Sequence, residues 1–476
     1  MSIPQLTAQQ EAKLVLNLQQ WALANSLIIY PPNHQPFQPV VAPVTLYPTP
    51  FSKKAFEDAN DVQLAYNELY VKIVQEREFL VEVLEELSQF DKDFTGRLYS
   101  LYKESQASSG VKQDLKLGLF RSDYLVEEEQ IKQVEFNTVS VSFGGLSSKV
   151  GQLHEFLNEI GAYDAENKGK KLHKSEDLPV SKSIKGLADG LATADLHYNG
   201  KNTDKKTVVL VVVQEGERNV FDQRLLEFEL LATHGVKSVR FSLSEIESKT
   251  YVDPKTSKIY VRGTDEEISV VYFRSGYAPT DFKTEADWKA RLILENSYAI
   301  KGPDLLTQLA GAKKIQQILT DETILSKFIT TSPKLLNTFV KIYPMDDTEL
   351  GLQGKKLAFE TPEKYVLKPQ REGGGNNIYK SDIPTFLKSI DEAEWQGYIL
   401  MELINPATVV NKIIRNESLL SNEIISELGI FGTVLFDSKE VLSNTNAGWL
   451  LRSKFASSNE GGVAAGFGAV DSVYLV

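Results

Sequence analysis

The 476-residue sequence contains no cysteine. Disulfides and thiolate metal sites are therefore excluded, and a reducing compartment such as the cytosol is the simplest home. Histidine is almost as scarce. His34, His154, His173, His197 and His234 are all there is, with no HExxH and no close pair. A histidine-held zinc ion is not expected, and a Ser/His/Asp triad finds no nucleophile elbow. No apolar run approaches the roughly 18 residues that a membrane helix needs. The opening MSIPQLTAQQEAKLVLNLQQWA lacks a basic stretch followed by an apolar one, and reads as an amphipathic helix rather than a leader. Positive charge is also in deficit: 52 Lys and Arg face 64 Asp and Glu, a net charge of −12. A general nucleic-acid binder needs the opposite balance. Anionic small substrates remain open to the chain where Lys and Arg converge locally. The phosphate motif GxxxxGK[ST] is missing. The run GGVAAGFG (461–468) lacks GxGxxG spacing and leaves no room for a βαβ unit, so a dinucleotide site is rejected.

What is present is enough for a large core, since 42% of the residues are hydrophobic. Residues 5–30 and about 54–105 carry helical periodicity. Between them, YPPNHQPFQPVVAPVTLYPTPF (30–51) cannot be helical and is expected to drape over the surface. LKLGLFRSDYLV (115–126) and IKQVEFNTVSVSF (131–143) read as strands, the second ending at Gly144-Gly145, a turn signal. Residues 165–185 are polar and read as a loop. TVVLVVVQ (207–214) is a β-branched run that suits a strand buried on both faces of a parallel sheet. A helical stretch (222–234) and ISVVYFR (268–274) follow, so 206–305 is expected to form its own α/β unit. Lys313 and Lys314 fall on a helix. YVLKPQR (365–371) and YILMELI (398–404) are strong strands. The fold class is α/β, of the mixed α+β kind, without internal repeats.

Four groups of residues carry chemistry. In Lys368-Pro369-Gln370-Arg371-Glu372-Gly373-Gly374-Gly375-Asn376-Asn377, a strand delivers a lysine to three glycines. Glycine lets backbone N–H groups approach phosphate closely, and Glu372 is placed to hold Mg²⁺ there. A glycine-rich surface hairpin is the plain alternative. Glu135 and Asn137 stand two apart in a strand, so a carboxylate and an amide oxygen share one face, a hard-ligand pair suited to Mg²⁺. Ser140 and Ser142 repeat that spacing and offer hydroxyls to a polar substrate. A polar strand face explains both pairs equally. The cations Arg121, Arg274, Lys313, Lys368, Arg452 and Lys454 abut apolar strands, where a charge needs a partner or a ligand. Glu460-Gly461-Gly462-Val463-Ala464-Ala465-Gly466 is a small-residue loop able to close over a ligand.

The words FRSDY, EFNTVSVSFGG, QEGERNVFDQR, YFRSGYAP, QLAGAKKIQQ, KPQREGGGNN, ISELGIFG and LLRSK followed by EGGVAAG occur in this order. From about residue 40 to the C-terminus the sequence resembles the eukaryotic glutathione synthetases. The resemblance implies an ATP-grasp fold, with 1–205 and 306–476 as the core with its lid, and 206–305 as an inserted substrate domain. It implies a Mg²⁺-dependent, cytoplasmic homodimer that joins γ-glutamylcysteine to glycine through an acylphosphate, with ATP as co-substrate and neither nucleic acid nor membrane as partner. Carried over residue by residue, Glu135, Asn137 and Glu372 are metal ligands. Arg121, Lys313, Lys368 and Arg452 take the catalytic roles. ATP is met by Glu135, Lys313, Lys368, Gly373, Gly374, Gly375, Asn376 and Asn377. It is further met by Tyr379, Met401, Glu402, Leu403, Ile404, Glu427, Lys454 and Glu460. Substrate contacts are Arg121, Ser140, Ser142, Glu217, Asn219, Gln223, Arg274 and Tyr277, with Arg452, Val463 and Ala464 near the closing loop. The alternatives are a related ligase that takes β-alanine and an inactive nucleotide-binding homologue. Val463-Ala464-Ala465 resembles the glycine-specific form.

Overall fold

The computed structural model describes residues 3–200, 206–372, 375–415, 418–459, 461–463 and 466–476. Helix α1 (Ala8–Ala24) opens on a capping box in which Thr7 and Gln10 satisfy each other's backbone N–H groups. Leu14, Leu18 and Ala22 bury one face of it. The proline-rich run that follows lies at the surface over 31–41, as expected, but its second half does not. Ala42, Val44, Thr45, Leu46, Tyr47 and Thr49 are buried. Strand β1 (Val44–Thr45) is only two residues long, so Pro43 and Pro48 flank it and remove no N–H that the sheet needs. It pairs with two segments from the far end of the chain, Val409–Arg415 and Gly468–Asp471. The helical stretch expected over 54–105 is broken into α2 (Lys53–Gln75), α3 (Arg77–Leu87) and α4 (Arg97–Ala107), with a π-turn at Lys92–Gly96.

Strands β2 (Lys116–Glu127) and β3 (Gln130–Asn137) form an antiparallel pair, irregular in register at Asp123/Tyr124. The second expected strand stops at Asn137, and Gly144-Gly145 is not a turn. These glycines open helix α5 (Gly144–Glu159). The cause lies far away in sequence. The Asp222 carboxylate accepts from the backbone N–H groups of Phe143, Gly145 and Leu146 at 2.8, 2.7 and 3.0 Å, neutralising the donor-rich helix start. A Cβ at Gly145 would lie 2.6 Å from Asp222 O, so the approach requires glycine.

After α6 (Ser183–Asn199) comes β4 (Thr207–Val213), buried on both faces as its composition demands. Helix α7 (Val220–His234), β5 (Lys237–Ser242), β6 (Glu267–Phe273) and β7 (Ile300–Gly302) complete a parallel set in the order β5-β4-β6-β7. That set joins the rest through the pairing of Lys301 with Lys116 of β2. Helix α8 (Lys313–Ile318) leads to a four-stranded sheet of β8 (Ile342–Pro344), β9 (Tyr365–Pro369), β10 (Ile378–Tyr379) and β11 (Tyr398–Glu402), in the order β8-β11-β9-β10. Strands β12 (Val409–Arg415), β13 (Ser418–Phe436), β14 (Val441–Phe455) and β15 (Gly468–Asp471) return to the large sheet, which has 13 strands among the described residues, with β13 against β2. Among the described residues, no helix is long and apolar enough to cross a membrane.

Candidate functional site

Strand register gathers the polar residues. Arg121 and Asp123 share a face of β2 by the two-residue repeat. Asn137 and Glu135 of β3 stand opposite them. Gly429 of β13 pairs with Asp123, and Glu427 of β13 pairs with Arg452 of β14. This face lines a cleft of about 1030 Å³, together with β9 and β11 of the small sheet and loops around 214–219, 277–280 and 456–463.

Lys313, at the start of α8, lies behind the lining and holds both acids expected to bind metal. Its Nζ is 2.9 Å from Glu135 and 3.4 Å from Glu372. Burial opposes charge on all three groups. Lys313, Lys368 and Arg452 nevertheless hold the Glu135 carboxyl well below its usual range. Burial pushes Glu372 up to about 7, against the pull of Lys313 and with the Glu135 charge adding to the rise. Lys313 is raised despite its burial because it faces two acids. Asn137 donates its amide Nδ2 to Asp123 at 3.0 Å and to Arg121 O at 3.4 Å, which leaves the amide oxygen as its ligand atom. Among the described residues no three His, Cys, Asp or Glu side chains converge on a metal position. Two carboxylates that already share one cation, with an amide oxygen on the same face, still fit a hard divalent ion.

Lys368 on β9 donates to Val134 O at 2.9 Å, and burial pushes it down to about 8. Arg452 is held by Glu427, with Nε donating at 2.8 Å, and reaches Asp123 at 3.3 Å. Burial raises Glu427 against the pull of Arg452. Arg121 takes Asp123 side-on at 2.6 and 2.7 Å. Arg274, just beyond β6, is buried and donates to Val141 O and to Ser142 Oγ, the latter at 2.5 Å. Ser140 and Ser142 do not continue strand β3 as expected. They lie on a loop that turns through left-handed Ser140 and Phe143, with φ of 53° and 68°. Ser140 Oγ donates to Phe273 O at 3.2 Å and Ser142 Oγ to Ser140 O at 3.1 Å.

Glu217 and Asn219 line the cleft, with Asn219 N donating to Glu217 at 2.8 Å. Gln223 does not line it. Its Nε2 supports Glu217 from behind at 2.8 Å while its Oε1 accepts from Arg240. Tyr277 OH accepts from Gln214 at 3.0 Å. At the other end, Val366, Tyr379, Met401, Leu403 and Ile404 pack together as an apolar wall, with Glu402 and Asn377 beside it. Asn377 donates to Tyr379 OH at 3.3 Å. Asn376, Lys454 and Val463 also line the cleft, and Lys454 donates to Asn459 O at 2.7 Å. Gly375 does not line it and has a left-handed φ of 93°. Gly373, Gly374, Glu460 and Ala464 lie outside the described residues.

Four lining or supporting residues were given no role in the sequence reading. Asp123 is two residues after Arg121, and the spacing rule applied to Glu135 and Asn137 marks it equally. Gln214 and Asp222 lie within the QEGERNVFDQR word, at its first and ninth positions. Arg371 follows Lys368 and reaches back to Asp91 beside the π-turn, a contact that no local pattern announces.

The family model described as eukaryotic glutathione synthase, ATP binding domain, matches residues 8–475. The glutathione synthetase large chain of Schizosaccharomyces pombe is 41% identical over 459 residues, 91% of each chain. The glutathione synthetase of Dictyostelium discoideum is 38% identical over 96% of this chain and 97% of its own. The human glutathione synthetase is 38% identical over 91% and 90%. Among solved structures, a glutathione synthetase like-effector from Globodera pallida in apo form superposes with a TM-score of 0.77 over 100% of both chains at 22% identity, which shows the shared fold. The two β-rich units around the cleft are those of an ATP-grasp fold, and the chain belongs to the eukaryotic glutathione synthetase family.

Proposed function

We propose that the chain ligates γ-glutamylcysteine to glycine at the expense of ATP, giving glutathione, ADP and phosphate. The observation that carries this reading is the meeting of Arg121, Lys313, Lys368 and Arg452 with Glu135 and Glu372 around one cleft. A peptide bond from a free carboxylate is uphill in water, so the acid must first be activated. The cysteinyl carboxylate oxygen attacks the γ-phosphorus of ATP, the bond to the bridging oxygen breaks, and ADP leaves. The glycine amine then attacks the acylphosphate carbonyl, and phosphate departs with the C–O bond electrons.

Such a sequence needs positioning and charge neutralisation more than a protein nucleophile. The absence of cysteine and the scarcity of histidine are therefore no obstacle. Lys368 and Lys313 serve the phosphates, and the apolar wall of Met401, Leu403 and Ile404 serves the adenine. Arg121, Arg274 and Arg452 serve the dipeptide, with 206–305 as its binding unit. Glu135, Asn137 and Glu372 are the residues that would hold Mg²⁺. When bound, Mg²⁺ supplies positive charge against the triphosphate. Gly461, Gly462 and Val463, which line the cleft, would help to exclude water from the hydrolysable acylphosphate. A homodimer in the cytosol is part of the same proposal, to be checked by sedimentation and by fractionation.

The test is phosphate release from ATP and Mg²⁺ with γ-glutamylcysteine alone, glycine alone, both, and γ-glutamylcysteine with β-alanine. Release that needs the dipeptide and glycine, with tripeptide in equal amount, is the expected result. Preference for β-alanine would replace the acceptor, and no release in any mixture would reject the ligase.

A further inference from the structure

Asp123 is a buried acid that none of the steps above uses. Its Oδ1 accepts from Arg121 Nε at 2.6 Å, and its Oδ2 from Arg121 Nη2 at 2.7 Å. The same Oδ2 accepts from Asn137 Nδ2 at 3.0 Å and from Arg452 Nη2 at 3.3 Å. One carboxylate thus ties together side chains from β2, β3 and β14, all three of which line the cleft.

The room for this arrangement comes from β13. Gly429 stands directly opposite Asp123 in register. A Cβ there would lie 2.7 Å from Asp123 Oδ1, 2.9 Å from Arg121 Cδ and 3.2 Å from Arg121 Nε. Two guanidinium groups repel one another and, unheld, sample many rotamers. Asp123 answers both problems by supplying negative charge between them and by fixing the plane of Arg121 with two parallel bonds. Each arginine keeps its Nη1 off Asp123. That of Arg121 donates to Ser142 O at 3.3 Å, beside the Arg274 contact.

We propose that Asp123 is a positioning residue that presents Arg121 and Arg452 together to the reacting carboxylate of the dipeptide, with Gly429 providing the space. The inference rests on the proposed ligase reading and specifies which ligand the arginine pair serves. Among the groups assigned to nucleotide and its metal, Lys313, Lys368 and the β9–β11 wall make no bond to Asp123; Asn137 does, through its Nδ2, and keeps its amide oxygen for the metal.

The experiment uses the full chain with Asp123→Asn and, separately, Gly429→Ala. The first removes the charge at constant size. The second keeps every charge and displaces the pair. Calorimetric affinity for γ-glutamylcysteine and steady-state constants for it and for ATP are measured on each. In both variants the dipeptide affinity is expected to fall at least tenfold, and kcat about a hundredfold, as a misplacement of about 1 Å does. The dissociation constant for ATP is expected to stay within about threefold. Unchanged constants, or equal losses for dipeptide and ATP, overturn the proposal. If Asp123→Asn gives no cooperative unfolding transition, Gly429→Ala decides alone. A wild-type chain that ligates normally beside unaffected variants sinks Asp123 and spares the ligase. A wild type that forms no tripeptide sinks both, since the anion is then misassigned.

Discussion

Lys313→Met is expected to destroy turnover and, at the same time, to tighten the binding of Mg²⁺ to nucleotide-free protein. One ammonium now serves two carboxylates, at 2.9 and 3.4 Å. At an effective dielectric of about 20, each contact is worth roughly 5–6 kcal/mol before desolvation is counted. Most of that gross attraction is offset by burying the charges, and removing one partner of such a set costs about 3–5 kcal/mol of stability. The two acids left behind lie no more than about 6 Å apart, where their repulsion is about 3 kcal/mol at the same dielectric. A proton or a divalent cation relieves it. Methionine matches the length of the lysine stem and brings no charge, so the acids keep their places. Titration calorimetry of Mg²⁺ into the nucleotide-free variant should show an affinity at least about tenfold above wild type, a gain of about 1.4 kcal/mol. Saturating Mg²⁺ should also raise the variant's Tm more than the wild type's. An unchanged or weaker affinity would mean that Glu135 and Glu372 do not share a cation site, and the metal assignment would fall with it.

Glu372→Ala should abolish turnover while lowering Tm less than Lys313→Met does, because Lys313 keeps Glu135 at 2.9 Å; an active variant removes Glu372 from the metal set. Arg274→Ala should raise KM for γ-glutamylcysteine with KM for ATP unchanged. Losing a buried charge-assisted contact costs about 2–5 kcal/mol, and an unchanged dipeptide KM would reject the role. Asp471, buried beneath Thr45, Thr49 and Ser453, is pushed by burial from its ordinary 3.8 up to about 6. A raised carboxyl favours the protonated fold, so its contribution is full below the ordinary value and is lost as pH rises through about 6, amounting to about 3 kcal/mol. The stability of wild type minus that of Asp471→Asn should therefore fall between pH 4 and 6 and be flat above about 7 by denaturant unfolding. Nearby His154, held neutral by burial down to about 4, is common to both proteins and cancels. A pH-independent difference would show that Asp471 ionises freely.

Local pattern made much of this site legible. Glu135 and Asn137 were readable because a strand puts every second side chain on one face. β4 was readable because only a doubly buried strand tolerates Val208 to Val212. What the sequence could not show is the register between strands. Arg452 and Asp123 are 329 positions apart, and only the pairing of β13 with both β2 and β14 brings them together. Gly144-Gly145 was misread for the same reason. The helix they start depends on Asp222, 77 residues downstream of Gly145. The second half of the proline-rich run was misplaced because proline forbids helix and long strand but permits a two-residue strand between buried neighbours. Ser140 and Ser142 kept their spacing but lost the strand, since two left-handed residues turn that segment toward Arg274.

The net charge of −12 and an anion-binding cleft are reconciled by the way the cations are kept. Arg121 rests on Asp123, Arg452 on Glu427, and Lys313 on Glu135 and Glu372. Positive charge is thus stored as buried ion pairs, which are costly to desolvate and retain their geometry without ligand. An anionic substrate does not enter a bare positive hole. It exchanges one partner for another, and the preformed hydrogen bonds limit which exchange fits. Among the described residues, Lys368 alone of these four cations holds no carboxylate, only Val134 O, and burial holds it down to about 8. It has the most to gain from an arriving phosphate, whose charge would favour the ammonium that burial disfavours. In the proposed reaction, nucleotide phosphate would offset the desolvation of Lys368, and the carboxylates under Arg121 and Arg452 would hold the dipeptide side in register for the transfer.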